Sequence, residues 1–257
     1  MKIFFIGIIV LMILFVGGFA VLIAFVIKKS TTPKTKEFIE DERNKMRQNV
    51  LQKRKKLAAH KTEMYREVTD AMTYNYTKAV TYAKISGFIY NENRKPVVAF
   101  ERIERGMNTK GHLVAMTKKQ TFLFEFTGLA ATFYCDNALL GSFDTSGTIY
   151  DANQQAIGHA KHPIKASFHV DFFKRTHHRL GEGLFPLTLN GRKLATINVS
   201  PNYDDIAYDF TVSSVFDGLG FGTPIITLTD TPTKEEENWL LAFAIFETAF
   251  HGNWLIP

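Results

Sequence analysis

From Trp239 to Phe246 the chain reads Trp-Leu-Leu-Ala-Phe-Ala-Ile-Phe, with no polar side chain on any side. Upstream, Thr233 with Glu236 three residues later makes the pattern of a capping box, and Glu235 and Glu237 suit the positive end of a helix. The segment predicts a helix that is apolar all round and ends near Gly252. At about 15 residues it is too short to cross a hydrocarbon core of ~30 Å, so it has to be buried inside protein. The rest of the chain must therefore supply a shell.

Short alternating segments after Ala83 supply it. Thr121-Phe-Leu-Phe-Glu-Phe126 sets three phenylalanines on one side. Ala166, Phe168, Val170 and Phe172 alternate with Lys165, Ser167, His169 and Asp171, and Ile206, Tyr208, Phe210 and Val212 alternate in the same way. Period two with one apolar face predicts an antiparallel sheet wet on one side. Asn190-Gly191 between two such runs is a tight-hairpin signal. The segment from Tyr134 to Gly141 is echoed from Tyr150 to Gly158, which marks repeated hairpins. About a dozen strand candidates emerge, a number that suits a barrel or a sandwich.

The N-terminal part differs. Residues 3–27 carry no charge, and at helical rise they reach roughly 37 Å, enough to span a bilayer with some tilt. No small-residue cleavage site follows, so the reading is an uncleaved transmembrane helix rather than a secretory signal. Only Lys2 precedes it, whereas Lys28, Lys29, Lys34 and Lys36 follow. Positive flanks stay inside, which places a single-pass protein with its C-terminal body in the cytoplasm, at the inner membrane in a bacterium. The opposite orientation would expose Asn75-Tyr-Thr and Asn198-Val-Ser as glycan acceptors.

Between Glu37 and Val80 glycine and proline are absent, and Val50, Leu57, Met64 and Ala71 recur every seventh residue. Lys53, His60 and Glu67 occupy the matching second seam, so the prediction is a long helical stalk that rests one side on something other than a copy of itself. Lys53, Arg54, Lys55 and Lys56, with Lys28 and Lys29, form a candidate membrane-surface set, each charge adding about 1 kcal/mol near an anionic leaflet. A solvated helix face is the competing reading. The expected division is an anchor at 1–28, a basic juxtamembrane helical stalk at 29–82 and a β-rich domain at 83–257. One cysteine, Cys135, excludes an internal disulfide framework and leans toward a reducing compartment.

The hairpin Ile149-Tyr-Asp-Ala-Asn-Gln-Gln-Ala-Ile-Gly158 and the terminal Glu235-Glu-Glu-Asn-Trp-Leu-Leu-Ala-Phe-Ala-Ile-Phe246 resemble the tubby-like C-terminal domain, the superfamily of LURP-one proteins and phospholipid scramblases. The likeness covers roughly residues 85–251. It implies an α+β, mainly β fold: an antiparallel barrel of about twelve strands around the apolar C-terminal helix. It also implies binding of lipid headgroups or protein, with no catalytic residues to carry over. An N-terminal membrane helix and a long stalk depart from the usual family arrangement.

Five histidines, His159, His162, His169, His177 and His178, crowd one stretch together with Asp171. No His-Glu-x-x-His or Cys-x-x-Cys spacing accompanies them, and Lys161, Lys165, Lys174, Arg175 and Arg179 stand among them, so no metal site is assigned. The better functional reading is an anion-facing patch of Lys165, His169, Lys174, Arg175, His177, His178 and Arg179, with 174–179 as a loop, and a plain solvated basic loop stands beside it with at least equal weight. Gly218-Leu-Gly-Phe-Gly222 leads through Pro224 into a strand and reads as a bend; Asp204-Asp205 reads as a turn, and Cys135 as core. No nucleophile elbow exists, and no nucleic-acid reading motif accompanies the basic residues.

The expectation is a non-enzymatic, membrane-tethered protein whose β-domain binds anionic phospholipid headgroups or a membrane-complex partner. The alternatives are an accessory structural subunit of a larger membrane assembly and a membrane-bound metal-dependent hydrolase. The expected partners are the lipid bilayer, anionic phospholipid and other membrane subunits, with no cofactor and no nucleic acid.

Overall fold

The computed structural model describes residues 12, 14–19, 21–22, 24–25, 28, 34–59, 63–79, 82–105, 110–127, 130–160, 168–171, 176–179, 183–199, 214–219 and 222–250. The chain divides into two compact units, Met1–Ile39 and Glu40–Pro257. In the first, the described residues between 12 and 28 are helical, and their large apolar side chains, such as Phe15, Phe19 and Phe25, are exposed. Three named helices follow: α1 (Lys36–Arg54), α2 (Met64–Glu67) and α3 (Lys234–Phe250).

No helix among the described residues is long and apolar enough to cross a membrane. Crossing needs about 20 consecutive apolar helical residues. The 19 residues of α1 are charged along their length, and the 17 of α3 open on three glutamates. The expected transmembrane anchor at 1–28 is corrected by this finding, and the single-pass placement with a cytoplasmic body falls with it. The other residues of 1–33 lie outside the described ones.

The strands are β1 (Met72–Ala79), β2 (Tyr82–Tyr90), β3 (Pro96–Arg105), β4 (Lys110–Met116), β5 (Thr121–Thr127), β6 (Ala130–Cys135), β7 (Ala138–Phe143), β8 (Thr148–Asp151), β9 (Ala156–His159), β10 (Phe168–Asp171), β11 (Thr176–Arg179), β12 (Gly183–Leu189), β13 (Arg192–Val199), β14 (Ser214–Leu219) and β15 (Ile226–Leu228). Thirteen form one sheet, ordered β14-β1-β2-β3-β4-β5-β6-β7-β8-β9-β12-β13-β15, while β10 and β11 pair separately. All its pairings are antiparallel, and β1 to β9 form a continuous meander.

The β-rich character agrees with the alternation in the sequence; the closed barrel does not survive. Among the described residues no ladder joins β14 to β15, so the sheet keeps two edges. Sheltering an apolar helix requires side-chain coverage, and an open sheet gives that without closing its hydrogen-bond ring.

The core is built around α3. Trp239 to Phe246 are at most 4% exposed, and they pack in one cluster with Phe100, Phe122, Phe124, Phe133, Phe185 and Ile197. Phe133 is central: its ring lies 5.3 Å from those of Phe243 and Phe246 and 5.7 Å from Trp239. Each fully buried side chain of this size contributes about 1.5–3 kcal/mol, so the helix and the inner sheet face stabilise each other.

The start of α3 carries the capping box. Thr233 N–H donates to Glu236 Oε2 at 2.8 Å, and Glu236 N–H donates to Thr233 Oγ1 at 3.3 Å. Asn190 and Gly191 both have positive φ, as a tight hairpin turn requires, and Asn190 Nδ2 donates to Glu236 Oε1 at 3.0 Å. The other end is met by Arg102, which donates to the Ala249 carbonyl and lies 2.8 Å from Glu104 in a buried ion pair. A cation at a helix C-terminus opposes the partial negative charge there.

Gly141 has φ +151°, and a Cβ there would press on the Tyr150 carbonyl and stand 2.8 Å from the Trp239 ring. This position requires glycine because the β8 backbone on one side and the Trp239 ring of α3 on the other leave no room for a side chain.

The stalk is not a free helix. It stops at Arg54, gives way to the single turn of α2, and is sheet by Met72. Met46, Val50 and Leu57 pack on the outer face of the sheet against Ala99, Ile103, Val114, Met116 and Leu123. That face is therefore wet only where α1 leaves it uncovered, which explains why β3 is buried on both sides from Val97 to Glu104.

Candidate functional site

The chain leaves the main sheet after β9 and rejoins it at β12, and these two strands pair with each other, Thr188 opposite His159 and Leu189 opposite Gly158. The excursion between them carries the hairpin β10–β11. Its ladder sets Phe168 opposite Arg179, His169 opposite His178, Val170 opposite His177 and Asp171 opposite Thr176. The expected loop at 174–179 is thus strand from Thr176 onward. The hairpin brings His169, His177, His178 and Arg179 onto successive rungs of a two-stranded ladder. Lys165, Lys174, Arg175 and His162 lie outside the described residues. His159 sits in β9, exposed, and its carbonyl accepts a bond from Thr188 Oγ1 at 3.1 Å. Among the described residues no cluster of three or more His, Cys, Asp or Glu could hold a metal ion.

The candidate membrane-surface set divides in two. Lys53 reaches down to Ser86 Oγ, and Arg54 donates to the Lys118 carbonyl at 2.7 Å. Burial pushes the Lys53 ammonium below its usual value, with Lys84 and Lys56 adding to that and Glu101 opposing it. These two side chains secure α1 to the sheet. Lys55 and Lys56 follow the helix end and are exposed, Lys28 is exposed, and Lys29 lies outside the described residues.

Sequence reading missed a polar seam between α1 and the sheet. Glu42 pairs with Arg105, Arg43 with Glu125, Asn49 bonds Glu101 at 3.2 Å, and Lys84 holds the same Glu101 at 2.9 Å. Residues 42, 46, 49, 50 and 53 recur at helical spacing and share a face, which is the one signal that was present. Under the seam His112 is half-buried, and its partial burial with the nearby Arg43 and Arg105 holds its imidazole down at about 4, so it stays neutral near pH 7. At the rim, Arg43, Arg47, Tyr134 and Asn137 line a cleft of about 200 Å³.

Cys135 ends β6, half-buried, and burial together with Asp136 pushes its thiol up to about 11 against a hydrogen bond from Gln120. A thiol held that high is a poor nucleophile near neutrality. No protein-family model, no curated protein and no solved structure matches the chain.

Proposed function

We propose that this protein acts by binding rather than by catalysis, and that the excursion carrying β10–β11 holds a phosphate-bearing anionic ligand. One observation carries the reading: the ladder pairs His169 with His178 on one rung and sets His177 and Arg179 on the rungs either side, in a hairpin that leaves the main sheet and returns to it. Function-bearing segments are commonly mounted this way, on an insertion whose two ends are fixed by a scaffold. Imidazolium and guanidinium groups donate charge-assisted hydrogen bonds to phosphate oxygens, and histidines gain that charge below about pH 6.5. The resemblance to the tubby-like C-terminal domain belongs to the same proposal and rests on the sequence. The accessory-subunit reading has less ground, because the apolar seam meant for a partner is already occupied by the chain's own sheet.

The full chain titrated with inorganic phosphate, and separately sedimented with phosphatidylserine or phosphatidylcholine vesicles, tests the reading. The expected result is binding that strengthens between about pH 8 and pH 6 and weakens with added salt. Binding to phosphatidylserine alone assigns the headgroup as the source, and binding to phosphate as well assigns the free anion. Affinity that ignores salt, or that persists in His178→Ala/Arg179→Ala, sinks the proposal.

A further inference from the structure

Beyond the edge of α1, the outer sheet face carries a cavity of about 420 Å³. It lies within the range of ~300–1,000 Å³ that small-molecule clefts occupy. Its floor is one row across four strands: Glu125 opposite Thr132, Thr132 opposite Ser142, and Ser142 opposite Tyr150. Three interstrand steps of ~4.8 Å make this row about 14 Å long. Thr127 and Gln154 border it, both exposed, while Thr132, Ser142 and Tyr150 are half-buried.

The charges in this trough are already committed. Glu125 is paired with Arg43. Asp144 accepts from Ser146 N–H and Thr148 N–H, each at 2.9 Å, from Ser146 Oγ at 2.6 Å and from Tyr150 Oη at 3.3 Å. Burial would raise the Asp144 carboxyl, but these bonds outweigh it and hold the group below its usual value, so it stays ionised. An anion entering the trough meets two carboxylates. A cation finds both of them engaged. By contrast, among the described residues no side-chain hydrogen bond occupies the hydroxyls of Thr127, Thr132 and Ser142 or the amide of Gln154. Each of these groups donates and accepts at once, which matches a ligand rich in hydroxyls. Tyr150, held by its bond to Asp144, adds an aromatic side chain to the lining, and aromatic rings pack favourably against the C–H groups of such a ligand.

We propose that the trough over β5–β8 is a binding site for a neutral saccharide, with Thr132 and Ser142 as the central hydrogen-bonding pair. This site is independent of the phosphate reading and uses none of its residues. Saturation-transfer NMR on the full chain with glucose, galactose, mannose and N-acetylglucosamine tests it. Transfer to at least one sugar is expected, with affinity falling about tenfold or more in Thr132→Val/Ser142→Ala, since the central hydrogen-bonding pair is lost. Both changes preserve shape at half-buried positions, and an unchanged melting temperature checks that the fold is intact. Gln154→Ala, in an exposed turn, gives a second variant that should weaken binding on its own. Silence from all four sugars overturns the proposal, as does undiminished affinity in these variants. Displacement of the sugar by inorganic phosphate overturns it too, because the trough would then be an anion site.

Discussion

Glu236 shows how much one side chain joins. It is 2% exposed, closes the capping box with Thr233, accepts from Asn190 of the β12–β13 turn, and pairs with Arg192 at 2.6 Å. Burial alone would raise its carboxyl, but the bonds from Thr233 and Asn190 and the charge of Arg192 prevail and depress it. A carboxyl depressed in the folded state stabilises the fold at pH above its unfolded value of about 4.3, and that contribution is lost as pH falls through the folded value. Glu236→Gln should therefore cost about 1–2 kcal/mol at neutral pH and progressively less below pH ~4. Urea melts of both proteins at pH 7 and pH 3.5 check this, and equal differences at the two pH values reject it. The capping box and the Asn190-Gly191 turn were legible in the sequence because both are set within four residues. The bonds that tie them to each other were not, since 46 residues separate Asn190 from Glu236.

At the scale of elements, α1 is the part whose role changed most between sequence and structure. The seven-residue apolar recurrence that starts at Val50 indicated a long helix resting one side on something else; Val50 and Leu57 rest on the outer face of the chain's own sheet, while Met64, past the end of α1, joins the core around α3. The apolar contact is narrow, resting on Met46, Val50 and Leu57, and the polar seam of Arg43, Glu42, Asn49 and Lys53 flanks it. Met46→Asp puts a charge where the side chain is fully buried. The expected cost is several kcal/mol, on the order of 3, from lost packing plus burial of an unpaired carboxylate. Hydrogen exchange should report faster exchange in α1 and in the covered faces of β3 and β4, with little change in α3. Uniform acceleration throughout the molecule would show instead that α1 is inseparable from the core.

For the whole molecule, the decisive feature is that α3 shares one hydrophobic cluster with residues of β1 to β5, β8, β12, β13 and β15 among others. Phe243 is fully buried and contacts Phe133 edge-on at 5.3 Å and Phe143 edge-on at 5.5 Å. Phe243→Ala should cost about 3–5 kcal/mol, and because the cluster around α3 joins strands from both ends of the sheet, the loss should appear as a lower midpoint of one transition. Two separated transitions in denaturant would contradict that coupling. The open edges at β14 and β15 are compatible with this, because burial of α3 depends on side-chain contacts on the inner face rather than on ring closure.

What the amino-acid order alone settled is local in origin: a helix without a polar face, its capping residues, the period-two strands and the turns between them. Each follows from dihedral preference and hydrophobic period over a few neighbouring residues. The tertiary structure decided the rest. It set the row from Glu125 to Tyr150, the end of α1 and its place on the sheet, the strand character of 176–179 and the unclosed edges. These depend on register and packing between segments far apart in the chain, where the free energy of many weak contacts is compared across whole arrangements, and no local pattern records that comparison.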